Sequence, residues 1–472
     1  MKHFVWRWLA TSSVILGALA VGIGCASAAQ AETRPQYGGT LHVTTRAAPA
    51  SLDPVDITHP DPFTEHSITL LMFDTLVTID DDGRAQSALA TGWQLAGNRR
   101  WQFRIRRGVK FHDGTPLTPE ITAASLRAAN PSWNISVDAD SVVIEGDGAE
   151  AGLLAELALP RNAIAKRNSG NKADGTGPFS VTDWQPGKKL TLAAEENYWR
   201  GRPFLDGIEI EMGRSYRDQM TALELGTADL VEVAAEQSHR VSLEGRRFEN
   251  SEPIELLALV FAREAQSPED KLLRQALALS IERGSIRSVL LQGTGQPAAS
   301  VLPNWMSGYS FVFSAGADLG RARQARAQVR TIPTWSLGYD GSDPVARLVA
   351  ERIALNARDA GLSLQPPSQS TSQLTSGATA DVRLVRIPLV SADPWVALAD
   401  VAARVGLAAP TKDDGSAEGL YSAEQALLAT QRIIPLFHLP LSYAASGALK
   451  NWEVRADGSL QLVDAWVENG KP

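Results

Sequence analysis

The sequence predicts an α/β fold that is divided into more than one domain. The chain has 472 residues, more than a single hydrophobic core usually accommodates. Segments with the two-residue alternation of β-strands are interleaved with segments that have the spacing of helices, a mixture typical of α/β lobes and not of a sandwich or a bundle. Apolar residues make up 44% and charged residues 21%, which is ordinary for a globular protein.

The N-terminal segment has the pattern of a secretory signal. Lys2 and Arg7 precede an apolar run at 9–24, and Ala29-Gln30-Ala31 matches an Ala-x-Ala cleavage site. The run is shorter than the roughly 20 residues that span a bilayer. We therefore expect residues 1–31 to be removed and not to anchor the protein.

The only cysteine, Cys25, lies inside this segment. Cleavage after Ala31 would leave a mature chain without a thiol, hence without a disulfide or a thiolate ligand. The alternative is a lipoprotein in which cleavage leaves Cys25 acylated at the mature N-terminus. Gly24 suits that pattern, whereas Gly22 stands where leucine is usual, so both interpretations stay open.

The charge of the chain argues against nucleic acid as a partner. The net charge is −8, and residues 1–31 contain two basic residues and no acidic one, so the mature chain carries −10. Such a chain lacks the broad basic surface that phosphate backbones require.

The first elements can be placed in order along the chain. Gly39–Thr45 alternates as a short strand, and a turn is predicted at 80–83. Between them, Glu65–Val77 has helical spacing, with a buried stripe formed by Ile68, Leu71, Met72 and Leu76.

The stretch Trp101–Glu120, WQFRIRRGVKFHDGTPLTPE, combines a strand, a turn and the start of a helix. Aromatic and aliphatic residues alternate with arginines, which places the arginines on a solvated face. Asp113-Gly114 is a turn dipeptide, and Thr118 before Pro119 predicts an N-cap followed by the first helical position. Local structure therefore accounts for His112-Asp113 without a catalytic role.

The later segments continue the α/β pattern. Strands are predicted at 191–194, 207–212, 336–339, 381–387 and 433–439. Helices are predicted at 271–283 and 345–360, and the polar stretch 368–379 reads as an exposed loop.

The sequence contains none of the common catalytic or cofactor motifs that we sought. There is no G-x-S-x-G or H-E-x-x-H, and Gly170–Gly177 lacks the Lys-Ser/Thr of a phosphate loop. His59 and His66 lie near several acidic residues, but without the tight spacing of a metal site. His438, inside an apolar run, is expected to be a buried core histidine. We predict a protein that is not an enzyme, with no metal and no cofactor.

Four long segments follow one another along the mature chain: YGGTLHV, WQFRIRRGVKFHDGTPLTPE, GTGPFSVTDWQPGKKLTLAAEENYWRGRPFLDGIEIE and KLLRQALALSIERGSIRSVLLQGTGQPA. Together they resemble the extracytoplasmic solute-binding proteins of peptide and nickel ABC transporters, bacterial family 5. The resemblance continues through LVAERIALNARDAGLSLQ and IIPLFHLPL, so it covers essentially the whole mature chain.

This resemblance implies a two-lobed periplasmic-binding-protein fold (type II, cluster C-like) with a hinge and an interlobe ligand cleft. The first lobe would be 36–257, with an inserted subdomain at about 46–172 and a C-terminal return at 445–472; the second lobe would be 258–444. A monomer of this kind captures a small solute, peptide-like or related, by hinge closure. It delivers the solute from the periplasm to an ABC transporter permease in the inner membrane. The alternative is a sensor or scaffold that keeps the fold without transport.

The sequence departs from the family pattern in two places. The region 112–177, where the added subdomain lies, is short. Peptide-binding relatives carry a tryptophan and an aspartate before an Asp-Pro step, and the aspartate anchors the peptide ammonium. Here, alignment on Asp393-Pro394 puts Ile387 and Val390 at those positions, so a buried ammonium would lack its partner unless Asp393 substitutes.

The candidate ligand contacts come from both lobes. Arg46, Ser51 and Asp53 lie in the loop after the first strand, which the resemblance places in the cleft. Arg386 ends an otherwise buried strand face and is the candidate contact for an anion, because a guanidinium binds carboxylates as a fork. Four large amphipathic side chains lie near the expected cleft edges, although each also suits a core position: Trp305, Tyr309, Tyr339 and Trp395.

Overall fold

The computed structural model describes residues 34–56, 62–80, 83–96, 99–145, 152–168, 173–243, 247–308, 313–341, 343–366, 380–391, 393–411 and 416–468. Several predictions fall outside these residues: the signal segment with Cys25, His59, Tyr309 and the loop at 368–379.

Up to residue 261, the strands and helices are β1 (Thr40–Thr44), α1 (Pro62–Met72), β2 (Val77–Ile79), β3 (Ala85–Ser87), β4 (Ala90–Ala96), β5 (Arg100–Ile105), α2 (Pro119–Ala129), β6 (Asn134–Asp138), β7 (Ser141–Glu145), α3 (Leu153–Leu157), β8 (Lys166–Arg167), β9 (Ala173–Asp174), β10 (Phe179–Gln185), β11 (Lys189–Ala194), β12 (Gly207–Glu211), α4 (Tyr216–Glu224), β13 (Leu230–Val233), α5 (Ser238–Leu243) and β14 (Arg247–Phe261).

The remaining elements are α6 (Pro268–Ser280), α7 (Arg283–Ser285), β15 (Gln296–Pro297), α8 (Asn304–Ser307), α9 (Leu319–Ala327), β16 (Thr334–Gly338), α10 (Pro344–Asp359), β17 (Ser363–Gln365), β18 (Val382–Pro388), α11 (Pro394–Arg404), α12 (Ala417–Ala429), β19 (Ile433–Ala445), β20 (Leu449–Lys450), β21 (Glu453–Val454), β22 (Leu460–Gln461) and β23 (Trp466–Val467).

A single mixed sheet organises both lobes, in the order β10-β11-β12-β1-β13-β19-β14-β18-β16-β17. Strand β1 runs parallel to β12 and β13, and β16 runs parallel to β17 and β18. We call the part with β1 and β10–β13 the first lobe, and the part with β15–β18 the second lobe. The first lobe has a large apolar core between this sheet and α1 and a smaller one with α4 and α5, and the second lobe has a core on each sheet face.

The strands β14 and β19 run through both lobes as an antiparallel pair. Arg247–Asn250 pair with Ser442–Ala445 at the first lobe, and the later residues of β14 pair with 433–440 at the second. The register breaks on both sides of Pro253, which lies opposite Pro440. Because proline has no N–H to donate, the ladder is interrupted where the chain passes between the lobes.

A four-stranded sheet, β4-β5-β7-β6, forms a separate layer of the first lobe and packs with α2 around its own apolar core. It joins the main sheet near the buried carboxylate of Asp74. That group accepts hydrogen bonds from Thr176 Oγ1, Tyr198 OH and Trp199 Nε1, each at 2.9 Å. Burial nevertheless raises the pKa of Asp74 above its usual value.

Most predicted elements are confirmed, including the N-cap Thr118, whose hydroxyl accepts the N–H of Ile121. The helix predicted at Glu65–Val77 is wrong at its end, because α1 stops at Met72. The Met72 carbonyl accepts the N–H of Gly177 at 3.0 Å, so it does not continue the helical ladder. A Cβ at Gly175 would lie 1.9 Å from that carbonyl oxygen, which gives this glycine-rich stretch a packing role.

Candidate functional site

The candidate site lies where the lobes meet, beyond the carboxyl ends of parallel strands. In the first lobe β1 ends at Thr44 and leads to Arg46, and in the second lobe β16 leads to Asp340 and β18 to Ser391. Ligands of open α/β sheets bind at such edges. The cleft contains a cavity and, beside it, a network of charged side chains.

The cavity has a volume of about 230 Å³ and is lined by both lobes. The first lobe contributes α1, residues 75–80 and Gly83, α3 with the residues that follow it, and the turn between β21 and β22. The second lobe contributes Ile254, Trp305, Met306, Leu389, Val390 and Ser391. The walls are therefore mainly apolar, as in most small-molecule sites.

The polar end of the cavity belongs to the first lobe and is formed by His66, Arg455 and Asp457. His66 Nε2 lies 3.9 Å from Asp457 Oδ2, which is too long for a hydrogen bond. The other ring nitrogen of His66, Nδ1, is buried and has no partner among the described residues. Burial lowers the pKa of His66, so its imidazole is neutral at pH 7.

Asp457 stays ionised beside this neutral imidazole. Burial acts to raise its pKa, but the His66 ring, hydrogen bonds from Ser459 and the charge of Arg455 outweigh burial and lower it. Since His66 is uncharged at pH 7, we assign most of this stabilisation to Ser459 and Arg455. Ser459 donates its N–H and its hydroxyl to Oδ1, at 2.9 and 2.6 Å.

The apolar wall of the second lobe is held in place by two buried polar side chains behind it. Glu424 on α12 accepts the backbone N–H groups of Val301 and Leu302, just before Trp305 and Met306. His438 on β19 has Nε2 3.0 Å from the Val301 carbonyl oxygen. Burial raises the pKa of Glu424 to about 7 and lowers that of His438 to about 4. The prediction that His438 is a core residue is confirmed.

The charged network beside the cavity centres on Arg386. Its guanidinium contacts Glu255 Oε2 at 2.6 Å and Asp343 Oδ2 at 2.9 Å, both from the second lobe. Burial acts to lower the pKa of Arg386, but the two carboxylates outweigh it and raise the pKa well above the ordinary value. The arginine is therefore paired within its own lobe.

Within the part of the chain that the structure describes, two ion pairs bridge the lobes. Arg46 of the first lobe lies 3.7 Å from Asp340 of the second, and its guanidinium also bonds Tyr216 OH at 3.1 Å. Arg161, next to α3, lies 3.5 Å from Asp400 on α11. These contacts hold the two walls of the cleft together in the conformation described.

The residues predicted for the site are divided between the cavity lining, the charged network and positions outside both. Trp305 lines the cavity, 39% exposed, with Nε1 3.4 Å from the Pro253 carbonyl oxygen. Arg46 and Arg386 lie in the charged network. Ser51 and Asp53 form a turn beside the subdomain, where Asp53 pairs with Arg167 at 2.6 Å.

Three further predicted residues, Tyr339, Asp393 and Trp395, are absent from the cavity lining. Tyr339 is part of a second-lobe core, and Trp395 is buried in the other. Asp393 caps α11 by accepting the N–H groups of Trp395 and Val396. Tyr309 lies outside the described residues.

Sequence reasoning missed the cavity residues Arg455 and Asp457. They lie in a short hairpin turn near the C-terminus, where Asp457-Gly458 carries only a turn signal. His66 was discussed above only as a possible metal ligand. No group of three or more metal-ligating side chains is found among the described residues, and His66 meets a single carboxylate, Asp457. Within the same residues, no helix combines the length and apolar character needed to cross a bilayer.

Comparisons with known proteins agree on one family. The model of bacterial extracellular solute-binding proteins, family 5 (middle region), matches residues 84–398. The oligopeptide-binding protein AppA of Bacillus subtilis is 25% identical over 306 residues, which cover 58% of this chain and 55% of AppA. The chain spans about half the length of the curated relatives it matches.

Solved structures agree on the fold. NikA from Staphylococcus aureus, in complex with Ni(L-His)2, superposes with a TM-score of 0.77 at 18% identity, covering 91% of this chain and 100% of NikA. The binding protein AgaA from A. tumefaciens R10, in complex with agropinic acid, superposes with a TM-score of 0.77 at 18% identity, covering 92% of this chain and 99% of AgaA. The two-lobed periplasmic-binding-protein fold predicted from the sequence is confirmed.

Proposed function

Since the chain belongs to family 5 of the bacterial extracellular solute-binding proteins, we propose that it captures a small solute between its lobes and delivers it to an ABC transporter permease in the inner membrane. The observation that carries this proposal is the cavity of about 230 Å³ whose walls come from both lobes. A ligand there contacts both walls only when the lobes are closed, so its binding favours the closed state.

Opening and closing of the lobes requires a hinge, and the β14–β19 strand pair passes from one lobe to the other. We propose that the lobes pivot at the register break around Pro253 and Pro440, because few ladder bonds resist rotation there. The lobe boundaries predicted from the sequence, 257/258 and 444/445, stay predictions and fall within the same two strands.

We further propose that the protein acts in the periplasm, as a monomer, and that it is not an enzyme. The family match favours transport over the alternative of a sensor or scaffold. The relatives named above bind different solutes, since AppA is an oligopeptide-binding protein and the NikA and AgaA structures contain Ni(L-His)2 and agropinic acid. The ligand therefore has to be argued from the cavity of this chain.

A ligand screen tests the proposal. The protein without residues 1–31 would be heated with dipeptides, oligopeptides, amino acids, a nickel–histidine complex, opines and sugars. A ligand at 100 times its dissociation constant should add about 2.7 kcal/mol to the free energy of unfolding. Small-angle X-ray scattering should show a smaller radius of gyration with that ligand.

Two variants serve as a matched pair in this screen. Trp305→Ala removes a cavity wall and should weaken binding, whereas Leu225→Ala changes a 73% exposed side chain outside the cavity and should not. Turnover of a compound in the panel without any thermal stabilisation would contradict the proposal.

A further inference from the structure

We propose that the cleft selects a small zwitterion with an apolar body, whose ammonium binds Asp457 and His66 and whose carboxylate binds Arg455. This inference rests on the proposed function and names the ligand class of the same cavity. Both charged contacts would lie on the first lobe, and the second lobe would supply a mainly apolar wall without a charged side chain.

The first observation is a pair of hydrogen-bond acceptors with unused capacity. Oδ1 of Asp457 is occupied by Ser459, but in the described part of the chain Oδ2 makes no hydrogen bond and has only the 3.9 Å contact with His66. Neither ring nitrogen of His66 has a hydrogen bond there. A carboxylate oxygen beside a neutral imidazole is a site for a donor that carries positive charge.

An ammonium satisfies this pair better than a neutral donor does. Its three N–H groups can bond Oδ2 and the basic ring nitrogen together, and its charge compensates the carboxylate in a closed cavity. Because Oδ1 is already occupied by Ser459 and Oδ2 has no hydrogen bond among the described residues, a cationic donor at Oδ2 would add a charge-assisted hydrogen bond that a neutral donor cannot match.

The second observation concerns Arg455, two residues away in the same turn. Within the described residues its guanidinium makes no hydrogen bond or ion pair, and its backbone alone is bonded, to Ser459 and Gly458. A guanidinium facing a cavity offers a fork of N–H donors that matches a carboxylate. The turn thus presents one anion and one cation, which together complement a zwitterion.

One further charged side chain, Asp80, lines the cavity. Its two carboxylate oxygens already accept hydrogen bonds, from the Arg84 N–H at 2.8 Å and from Gln86 Nε2 at 2.7 Å. On the opposite wall, Ile254, Met306, Leu389 and Val390 are apolar. Val390 holds the position that the family resemblance assigns to an ammonium-binding aspartate, so the charge recognition is transferred to the other lobe.

The size of the cavity restricts the ligand further. Sites for drug-sized molecules usually measure about 300–1,000 Å³. At about 230 Å³, this cavity suits a molecule of the size of an amino acid or a dipeptide.

Calorimetry with blocked ligands tests the inference. The probes are L-leucine, L-phenylalanine and L-leucyl-L-leucine, each with its C-terminal amide and its N-acetyl derivative. At least one zwitterion should bind, and both of its blocked derivatives should bind at least tenfold more weakly. Arg455→Gln should remove the preference over the amide, and Asp457→Asn the preference over the N-acetyl form. Asp80→Asn is the control and should leave both preferences unchanged.

The outcomes separate this inference from the proposed function. If no zwitterion binds, or if one binds equally well to the protein and to both variants, the inference is overturned. Binding of the nickel–histidine complex or a sugar by those variants would leave the proposed function in place. If no compound of the whole panel binds or compacts the protein, both are overturned.

Discussion

Replacing Glu424 with glutamine should remove part of the pH dependence of the free energy of unfolding. The pKa of Glu424 rises from 4.5 to about 7 on folding because the carboxyl is buried. Between these pH values the folded state binds the proton and the unfolded state does not, so this group stabilises the fold below pH 4.5 and loses its contribution as pH rises through 7. The contribution of Glu424 to the free energy of unfolding is about 3 kcal/mol. Glutamine keeps an acceptor for the N–H groups of Val301 and Leu302 but does not titrate.

His438, on the other side of Val301, should act with the opposite sign. Its pKa falls from 6.5 to about 4 on folding, again because of burial. The unfolded state then binds more protons between those values, so the stability contributed by neutral His438 is present above pH 6.5 and is lost as pH falls through 4. The size is again about 3 kcal/mol. His438→Gln keeps a donor for the Val301 carbonyl and removes the titration.

Urea unfolding of the protein and both variants between pH 4.5 and 8 measures these contributions. Relative to the unchanged protein, Glu424→Gln should lose stability as pH falls from 7, and His438→Gln should gain it as pH falls from 6.5. Using differences between proteins cancels all other titrating groups. Two parallel profiles, offset but with the same slope as the unchanged protein, would refute the reasoning.

Three further changes follow from the contacts described above. Arg386→Met leaves the carboxylates of Glu255 and Asp343 without their cation and should lower the free energy of unfolding in urea by about 3–5 kcal/mol. The control is Arg347→Met, which removes an exposed ion pair with Glu351 and should cost less than about 1 kcal/mol. Equal costs would contradict the assignment of a buried network. Asp400→Asn removes the attraction of Arg161 across the cleft and should enlarge the radius of gyration of the ligand-free protein in X-ray scattering, with no change expected for the same substitution at Asp318. Gly175→Ala would place a Cβ 1.9 Å from the Met72 carbonyl oxygen and should cost at least about 2 kcal/mol, while Gly92→Ala, with no atom within 4 Å, serves as the matched control; a similar melting temperature for the two would contradict the close packing.

The sequence predicted secondary structure best where the signal lies within a single strand or helix end. The alternation in 101–105 predicted β5, and Thr118-Pro119 predicted the start of α2, because both signals depend on neighbours within one turn or strand. The end of α1 could not be found in this way. It depends on Gly177, more than 100 residues away, which takes the carbonyl of Met72.

The candidate site was harder to predict from the sequence, because its residues are brought together by contacts between distant parts of the chain. Arg386 is recognisable as an unusual charge on a buried strand face, but its partners Glu255 and Asp343 come from two other elements. Arg455 and Asp457 carry only the local signal of a turn. Their place in the cavity depends on a long-range contact, the hydrogen bond from the Leu460 N–H to Ser67 Oγ at 3.1 Å, which docks the turn onto α1.

That docking has a consequence for biosynthesis. Domains fold largely in the order in which the ribosome releases them. The second lobe is one continuous stretch of chain between β14 and β19, whereas the first lobe lacks part of its core until β20–β23 emerge. The turn with Arg455 and Asp457 belongs to this last part. If this turn binds the solute as proposed, a nascent chain forms nearly all of its strands before the binding site exists. A truncation that removes only the final few dozen residues would then yield a folded second lobe without Arg455 and Asp457.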